Sequence, residues 1–139
     1  MKYVLDSSVA LKVALPEPDS VKAIRLRDDF RAGIHELIAP DVFPVEVAHA
    51  LTRAERQQRI PPLSAWGLWQ KIMADCPALS PASLLTPRAI ALSSQFRIGV
   101  YDCLYVALAE REGCELVTAD QRLVNVFQGG VSVTLLSAV

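Results

Sequence analysis

Short apolar runs that end in polar residues recur along the chain and predict buried β-strands. They occupy residues 3–5, 36–40, 115–118 and 131–135. The Pro-containing segment 76–85 is either irregular or a further short strand. The pattern therefore predicts four to five short strands.

Between these runs, apolar residues recur at the three-to-four-residue spacing of amphipathic helices. The predicted helices span residues 9–15, 20–31, 45–59, 63–74, 87–96, 101–112 and 121–127. Helix 101–112 is apolar around its whole circumference, so we expect it to be buried on most sides. Because parallel strands need crossover connections, strands that alternate with helices indicate a layered α/β fold with a parallel sheet.

Composition fits one globular domain over residues 1–139. Hydrophobic residues make up 52% of the chain and charged residues 21%, a balance that excludes a disordered protein. The 14 Lys and Arg residues nearly balance the 15 Asp and Glu residues, so no polybasic segment indicates nucleic acid or a membrane. No apolar stretch fits a signal peptide or a spanning helix, which predicts a cytoplasmic protein. The three cysteines lack C-x-x-C spacing and are expected to fill apolar space.

Four acidic residues stand where helices begin, two of them after predicted strands. Asp6 follows the first strand and Asp120 follows strand 115–118, so both lie on the rim where parallel strands end. Glu46 and Asp102 lie in first turns of helices. Each acid alone is explained by helix capping, which contributes about 0.3–1 kcal/mol. The set of four, from separate segments, points instead to a shared site.

Carboxylates that share a site repel one another unless their pKa values rise or a cation lies between them. We therefore expect a pocket that has no protein counter-charge and binds a divalent cation. Oxygen ligands of this kind suit Mg²⁺ or Mn²⁺, which bind a few carboxylates together with water and phosphate. This combination is typical of phosphoryl transfer.

The segments that carry these acids resemble PIN-domain ribonucleases, and most closely the VapC-type toxins of toxin–antitoxin pairs. The segments are VLDSSVA at residues 4–10, PDVFPVE at 40–46, YDCLYVALA at 101–109 and LVTAD at 116–120. They span nearly the whole chain, with the acids in the family's order. The resemblance implies a single PIN domain in which three layers, α/β/α, surround a central parallel sheet.

The resemblance also implies an endoribonuclease that hydrolyses RNA phosphodiester bonds with Mg²⁺ or Mn²⁺ and a water molecule activated by the cation. The family's acidic quartet is matched by Asp6, Glu46, Asp102 and Asp120. The expected cation ligands are Asp6, Asp102 and Asp120. Glu46 either binds the cation or orients the water. Ser8 and Thr118 match hydroxyl residues that hydrogen-bond a ligand carboxylate or water.

RNA has to be bound by a local basic surface, because the net charge of the chain is −1. The best cluster is Arg53, Arg56 and Arg59, with Lys12, Arg88 and Arg97 as further candidates. The resemblance implies two protein partners, a second copy of the chain in a homodimer and a small antitoxin whose C-terminal segment covers the acidic site. The apolar segment 66–73 suits either contact.

Several residues that compete for a place in the site are better explained as structural. Asp41, which lies between Pro40 and Pro44, fits a turn or cap. A histidine base is not needed where a cation activates water, so His35 and His49 are expected to be structural or exposed. Aromatic residues in apolar helical segments more often form core or interface than stack on bases, and here they are Trp66, Trp69, Tyr101 and Tyr105.

Other classes of protein fit less well. A haloacid-dehalogenase-like phosphatase needs an aspartate two residues after Asp6, where this chain has Ser8. A receiver domain expects an early acidic pair and a late lysine, and no lysine follows Lys71. Two alternatives stay open, a PIN-fold nuclease outside a toxin–antitoxin pair and a non-catalytic PIN-fold binding module.

Overall fold

A five-stranded parallel sheet forms the centre of the computed structural model, which describes residues 1–128 and 132–139. Its strands are β1 (Lys2–Leu5), β2 (Glu36–Pro40), β3 (Ala78–Ser80), β4 (Glu115–Thr118) and β5 (Val133–Leu135). Their order across the sheet is β3-β2-β1-β4-β5. The segment that was open between strand and irregular structure contains β3. Val131, the predicted start of the last strand, lies outside the described residues.

Helices flank this sheet and give the predicted three-layer α/β/α arrangement. They are α1 (Ser7–Ala14), α2 (Ser20–Arg31), α3 (Phe43–Arg56), α4 (Ala65–Met73), α5 (Ala82–Phe96), α6 (Val100–Glu112) and α7 (Gln121–Val126), with a 3₁₀ turn at Leu136–Ala138. Among the residues described, no helix has both the length and the apolar composition needed to cross a bilayer.

Helix α6 forms the centre of the core, as its uniformly apolar sequence predicts. Every residue from 103 to 109 is buried, and the helix packs against β1, β2, β4 and α5. Asp102 lies in the first turn of this helix, where it is only partly buried. Gly113 closes the helix in a left-handed conformation that glycine adopts without strain.

Two helix boundaries differ from the prediction by three residues or more. Helix α5 begins at Ala82 rather than at Pro87, which lies inside it. The proline removes one hydrogen bond, but the carbonyl that loses its partner belongs to the exposed Ser83 and faces water. Helix α3 ends at Arg56 because Gln58 has a left-handed backbone, so Arg59 lies in the following turn and not on the helix.

The order of the strands explains where the acids meet. From β1 the chain builds outward to β2 and β3, and then returns to place β4 on the other side of β1. Ligands of open parallel sheets bind at such a reversal, beyond the carboxyl ends of the two strands. Leu5 pairs with Val117, and the Asp6 N–H extends the ladder by donating to the Val117 carbonyl at 3.1 Å. Asp6 and Thr118 are thereby fixed side by side.

Candidate active site

Asp6 occupies the N-cap position of α1, but its side chain does not cap the helix. The carboxylate is 6% exposed and turns instead toward two hydroxyl groups. Ser8 Oγ and Thr118 Oγ1 each donate to Asp6 Oδ2 at 2.7 Å. The explanation of Asp6 as an ordinary cap is therefore wrong, and the predicted association of Ser8 and Thr118 with a strand-end carboxylate is present.

Backbone N–H groups fix the direction of these two hydrogen bonds. The Ala119 N–H donates to Ser8 Oγ and the Asp120 N–H donates to Thr118 Oγ1, both at 3.0 Å. Because each hydroxyl oxygen already accepts a hydrogen bond from a backbone N–H group, its own O–H group donates to Asp6. The surroundings thus hold the Asp6 side chain as a hydrogen-bond acceptor, the role of an ionised carboxylate.

Burial acts against that ionised form. Desolvation raises the pKa of the Asp6 carboxyl group, the hydrogen bonds from Ser8 and Thr118 lower it, and the nearby charge of Asp120 raises it again, with a net upward shift. Asp6 is therefore a hydrogen-bond acceptor without a positively charged group among the neighbours that shift its pKa. A cation beside it would remove the conflict.

Glu46 lies in the first turn of α3 and faces Tyr105, one turn along α6 from Asp102. Desolvation raises the pKa of Glu46, the Tyr105 phenol lowers it, and the charges of Asp6 and Asp102 raise it further. Among the described residues, neither Glu46 Oε1 nor the Tyr105 hydroxyl completes a hydrogen bond of good geometry, although both atoms are buried. Glu46 thus presents an unsatisfied oxygen to the acidic cluster.

Asp102 and Asp120 are bridged by Arg122, a residue that the sequence interpretation did not include. Arg122 Nη2 lies 3.0 Å from Asp102 Oδ2 and 3.3 Å from Asp120 Oδ2. Desolvation and the charge of Asp6 raise the pKa of Asp102, while the Arg122 charge lowers it. The expectation of a pocket without a protein counter-charge is wrong. The side chain of Arg122, in α7, turns back and pairs with Asp102 and Asp120.

The four acids of the predicted quartet therefore come together. Their negative charges raise one another's pKa values: Asp120 acts on Asp6, Asp6 and Asp102 act on Glu46, and Asp6 and Asp120 act on Asp102. As the side chains stand in residues 1–128 and 132–139, no three Asp, Glu, His or Cys side chains form a ready metal-binding group. The chemistry of the cluster nevertheless fits a divalent cation. Its donors are all oxygen, it is short of positive charge, and Glu46 Oε1 lacks a partner.

A cleft of about 520 Å³ opens on one side of this cluster. Glu46 and His49 of α3 form one wall, and the exposed ring of Tyr101 in α6 forms another. Asp41 also reaches the cleft, where its Oδ1 accepts a hydrogen bond from the Ala82 N–H at 3.0 Å. That bond caps α5, which confirms the structural role expected of Asp41.

A second groove, of about 350 Å³, opens on the other side and is basic. Its walls include Ser8 and Ala119 next to the cluster, and Lys12, Arg53 and Arg59 farther out. Glu17 lies 3.0 Å from Lys12 and 2.5 Å from Arg59, so part of this positive charge is neutralised within the chain.

The other basic candidates lie apart from this groove. Arg56 is exposed on α3 but does not line the groove. Arg88 pairs with Glu110 at 2.7 Å, and Arg97 ends α5 in a left-handed conformation.

The remaining aromatic and histidine candidates have structural positions. His35 Nε2 lies 3.5 Å from Asp29 Oδ2, and the ring packs edge-on against Tyr3. Trp66 and Trp69 stack on each other at 5.6 Å, and Trp69 donates to the Pro44 carbonyl at 2.9 Å. The contacts of His35 and Trp69 agree with the structural roles expected from the sequence, whereas Trp66 is 67% exposed and does not belong to the core.

Two residues of the cluster were not assigned to it from the sequence. Tyr105 was interpreted as core, and its ring is indeed only 1% exposed. Its spacing of three from Asp102 places both side chains on one helix face, which is a usable signal. Arg122 follows Asp120 by two residues, but nothing local predicts that its side chain reaches Asp102.

The profile of the PIN domain matches residues 3–127 of this chain. Among curated proteins, the chain is 31% identical over 129 residues to Ribonuclease VapC3 of Pyrobaculum aerophilum, covering 91% of this chain and 95% of that protein.

Solved structures share the fold at lower identity. PAE2754 of Pyrobaculum aerophilum superposes with a TM-score of 0.67 at 20% identity, over 99% of this chain and 93% of its own. The DNA-bound VapBC structure from Salmonella typhimurium superposes with a TM-score of 0.68 at 14% identity, over 98% of both chains. These similarities support the same sheet and helix arrangement.

Proposed function

This chain belongs to the PIN-domain family, and from that premise we propose that it is a divalent-cation-dependent endoribonuclease. The proposed catalytic residues are Asp6, Glu46, Asp102 and Asp120. The observation that carries the proposal is the position of Asp6. It is a buried carboxylate that two hydroxyls hold as an acceptor, at the reversal of strand order, with three further acids around it. The similarity to Ribonuclease VapC3 supports RNA as the substrate.

The proposed ligands of Mg²⁺ or Mn²⁺ are Asp6, Asp102 and Asp120. A cation bound there would activate water for attack on phosphorus and neutralise the charge that develops on the phosphate oxygens. Ser8 and Thr118 both donate to Oδ2 of Asp6, which leaves its other oxygen free of these two hydrogen bonds. Glu46, whose charge interacts with those of Asp6 and Asp102, has a buried oxygen without a hydrogen-bond partner among the described residues, and its proposed role is to orient water or accept a proton from it.

The basic groove is the proposed path of the RNA backbone away from the acids. It begins at Ser8 and Ala119, directly beside Asp6, and its arginine Arg53 has no ion-pair partner in the part of the chain that is described. A groove of this kind holds successive phosphates by charge, whatever the sequence of bases.

The test is incubation of the purified protein with single-stranded RNA in the presence of Mg²⁺, Mn²⁺ or EDTA. We expect cleavage with either cation, none in EDTA, and a loss of at least about 100-fold in the Asp6→Asn variant. Asp41→Asn is the matched control, since it also neutralises an acid at a strand end and leaves the cap of α5 in place. Equal cleavage by parent and Asp6→Asn would exclude this site, and no cleavage by the parent would favour a non-catalytic binding module.

We further propose that the protein is the toxin of a toxin–antitoxin pair and forms a homodimer. The similarity to Ribonuclease VapC3 and the shared fold with the VapBC structure support the toxin assignment. Light scattering of the isolated chain measures the homodimer. Co-purification with the product of a neighbouring reading frame, followed by loss of RNA cleavage in the complex, tests the antitoxin. A monomer, or a neighbouring product that neither binds nor inhibits, would contradict the respective proposal.

A further inference from the structure

Arg122 combines two different contacts with the acidic cluster. Its backbone N–H donates to Asp120 Oδ1 at 2.9 Å and caps the short helix α7. Its guanidinium then turns back, and the single nitrogen Nη2 bridges Asp102 Oδ2 and Asp120 Oδ2. The side chain therefore joins α6 to the loop after β4, two segments that carry acids of the same charge.

The guanidinium stands at the rim of the cluster rather than inside it. The Arg122 side chain is 63% exposed, while Asp102 and Asp120 are 31% and 35% exposed. In the described part of the chain, Asp102 and Asp120 are its only ion-pair partners. Contacts this exposed are weak individually, so the arginine can leave the acids without unfolding any element.

Arg122 contacts one carboxylate oxygen of Asp102 and one of Asp120, two of the three acids that would hold the cation. A guanidinium nitrogen and a divalent ion cannot occupy the same space between two oxygens. A divalent ion brings twice the charge of the guanidinium and also interacts with Asp6, which Arg122 does not contact. Cation binding is therefore expected to displace the side chain into solvent.

We propose that Arg122 is an exchangeable counter-charge, which neutralises Asp102 and Asp120 in the cation-free protein and competes with the divalent cation for them. This inference rests on the proposed function, because it takes the acids as cation ligands. Because of this competition, the protein binds the cation more weakly than the same acids would without Arg122. The protein then requires a higher cation concentration to become active than an equivalent site without the arginine.

The test is calorimetric titration of the full chain with Mn²⁺, in the absence of RNA. Arg122→Gln removes the charge and keeps the backbone cap of α7, and we expect it to bind Mn²⁺ about tenfold more tightly than the parent. Arg122→Lys should lie between the two, because one ammonium group cannot match the planar bridge of the guanidinium. Arg31→Gln is the matched control. Arg31 pairs with Asp75 at 2.6 Å away from the site, so Mn²⁺ affinity should not change.

Thermal melting distinguishes competition from a purely structural role. In EDTA, Arg122→Gln should melt at a lower temperature than the parent, because two acids lose their counter-charge. At saturating Mn²⁺ this difference should disappear, since the cation then supplies the counter-charge of the acids in both proteins. A deficit of the same size with and without Mn²⁺, or Mn²⁺ binding that is equal or weaker in the variant, would overturn the inference alone. Absence of Mn²⁺ binding in both parent and Arg122→Gln would overturn the proposed function with it.

Discussion

Asp6 is a carboxylate on which two local effects oppose each other. The hydroxyls of Ser8 and Thr118 donate to the same oxygen and favour the ionised form, whereas complete burial favours the protonated form. Desolvation is the larger effect, so the pKa of Asp6 is raised. The folded protein is therefore less stable when Asp6 must carry its charge without a cation.

We expect Asp6→Asn to lose less stability than the parent as the pH rises in EDTA. In the folded parent the pKa of Asp6 lies above the ordinary 3.8, so the unfolded chain releases this proton first. Between the two values the folded chain binds more protons, and its free energy of unfolding falls as the pH rises. Asparagine removes this titration, and its carbonyl oxygen can still accept from both hydroxyls. Melting temperatures from about pH 4 to pH 8 measure the difference.

The control for this experiment is Asp41→Asn, which removes an exposed carboxylate from the end of β2. A difference between parent and Asp6→Asn that stays constant over the pH range would show that the pKa of Asp6 is not raised. The same curve repeated with Mn²⁺ should not show this decline for the parent, because a bound cation favours the ionised carboxylates and so lowers their pKa values.

Two substitutions of Thr118 test the hydroxyl arrangement. Packing alone predicts that Thr118→Val is more stable than Thr118→Ser, and the hydrogen bonds predict the reverse. Thr118 is fully buried, so Thr118→Val preserves its volume and Thr118→Ser leaves a small cavity. We expect Val to be the less stable variant, by about 1–3 kcal/mol relative to the parent, because Asp6 loses a donor and the Asp120 N–H loses its acceptor. Serine should cost about 0.8 kcal/mol. Urea unfolding measures both, and a valine variant at least as stable as the serine variant would contradict the arrangement.

Among the helices, α6 combines two tasks that usually fall to different segments. Its residues 103–109 are all buried and form the centre of the core, while its first turn supplies Asp102 to the acidic cluster. Tyr105 belongs to both, since its ring is buried and its hydroxyl faces Glu46. The position of Glu46 therefore depends on how α6 packs.

Tyr105→Phe separates the two tasks. We expect RNA cleavage to fall about tenfold, because Glu46 loses the neighbouring phenol that lowers its pKa. Stability should change by less than about 0.5 kcal/mol, because the hydroxyl that is removed does not complete a hydrogen bond of good geometry. The measurements are kcat/KM on one RNA and urea unfolding. Tyr3→Phe, which removes a buried phenol far from the acids, is the control, and an equal loss of cleavage in both variants would contradict the positioning role.

The elements were predictable where local chemistry and packing agree. The apolar run before Asp6 and the continuous apolar circumference of α6 predicted β1 and the buried helix correctly. Helix α5 was predicted too short because Pro87 normally interrupts a helix, and here it is tolerated on an exposed face. The direction of the Arg122 side chain could not be predicted. It depends on Asp102, which is 20 residues away and meets Arg122 only in the folded molecule.

For the whole molecule, the distribution of charge matters more than its sum. The net charge is −1, yet positive side chains line one groove and negative ones surround Asp6. A polyanion is therefore attracted along the groove and repelled at the cluster unless a cation is bound there. The proposed RNA-binding surface can be tested separately from cleavage.

We expect Arg53→Gln to weaken the binding of single-stranded RNA and to reduce its salt dependence. One fewer phosphate contact lowers the slope of log K against log[salt] by about 0.7–1. Fluorescence anisotropy in the Asp6→Asn background, where RNA stays intact, measures the slope over a series of NaCl concentrations. Arg25→Gln, an exposed arginine of α2 that does not line the groove, is the control. Equal slopes for all three proteins would place the RNA elsewhere.

The reversal of strand order also determines when the site can exist during translation. Asp6 is synthesised 112 positions before Thr118, whose hydroxyl hydrogen-bonds it in the folded protein. Until β4 has been synthesised and has paired with β1, a nascent chain lacks Thr118, Asp120 and Arg122 altogether. The proposed nuclease activity therefore cannot arise on a nascent chain before β4 is complete.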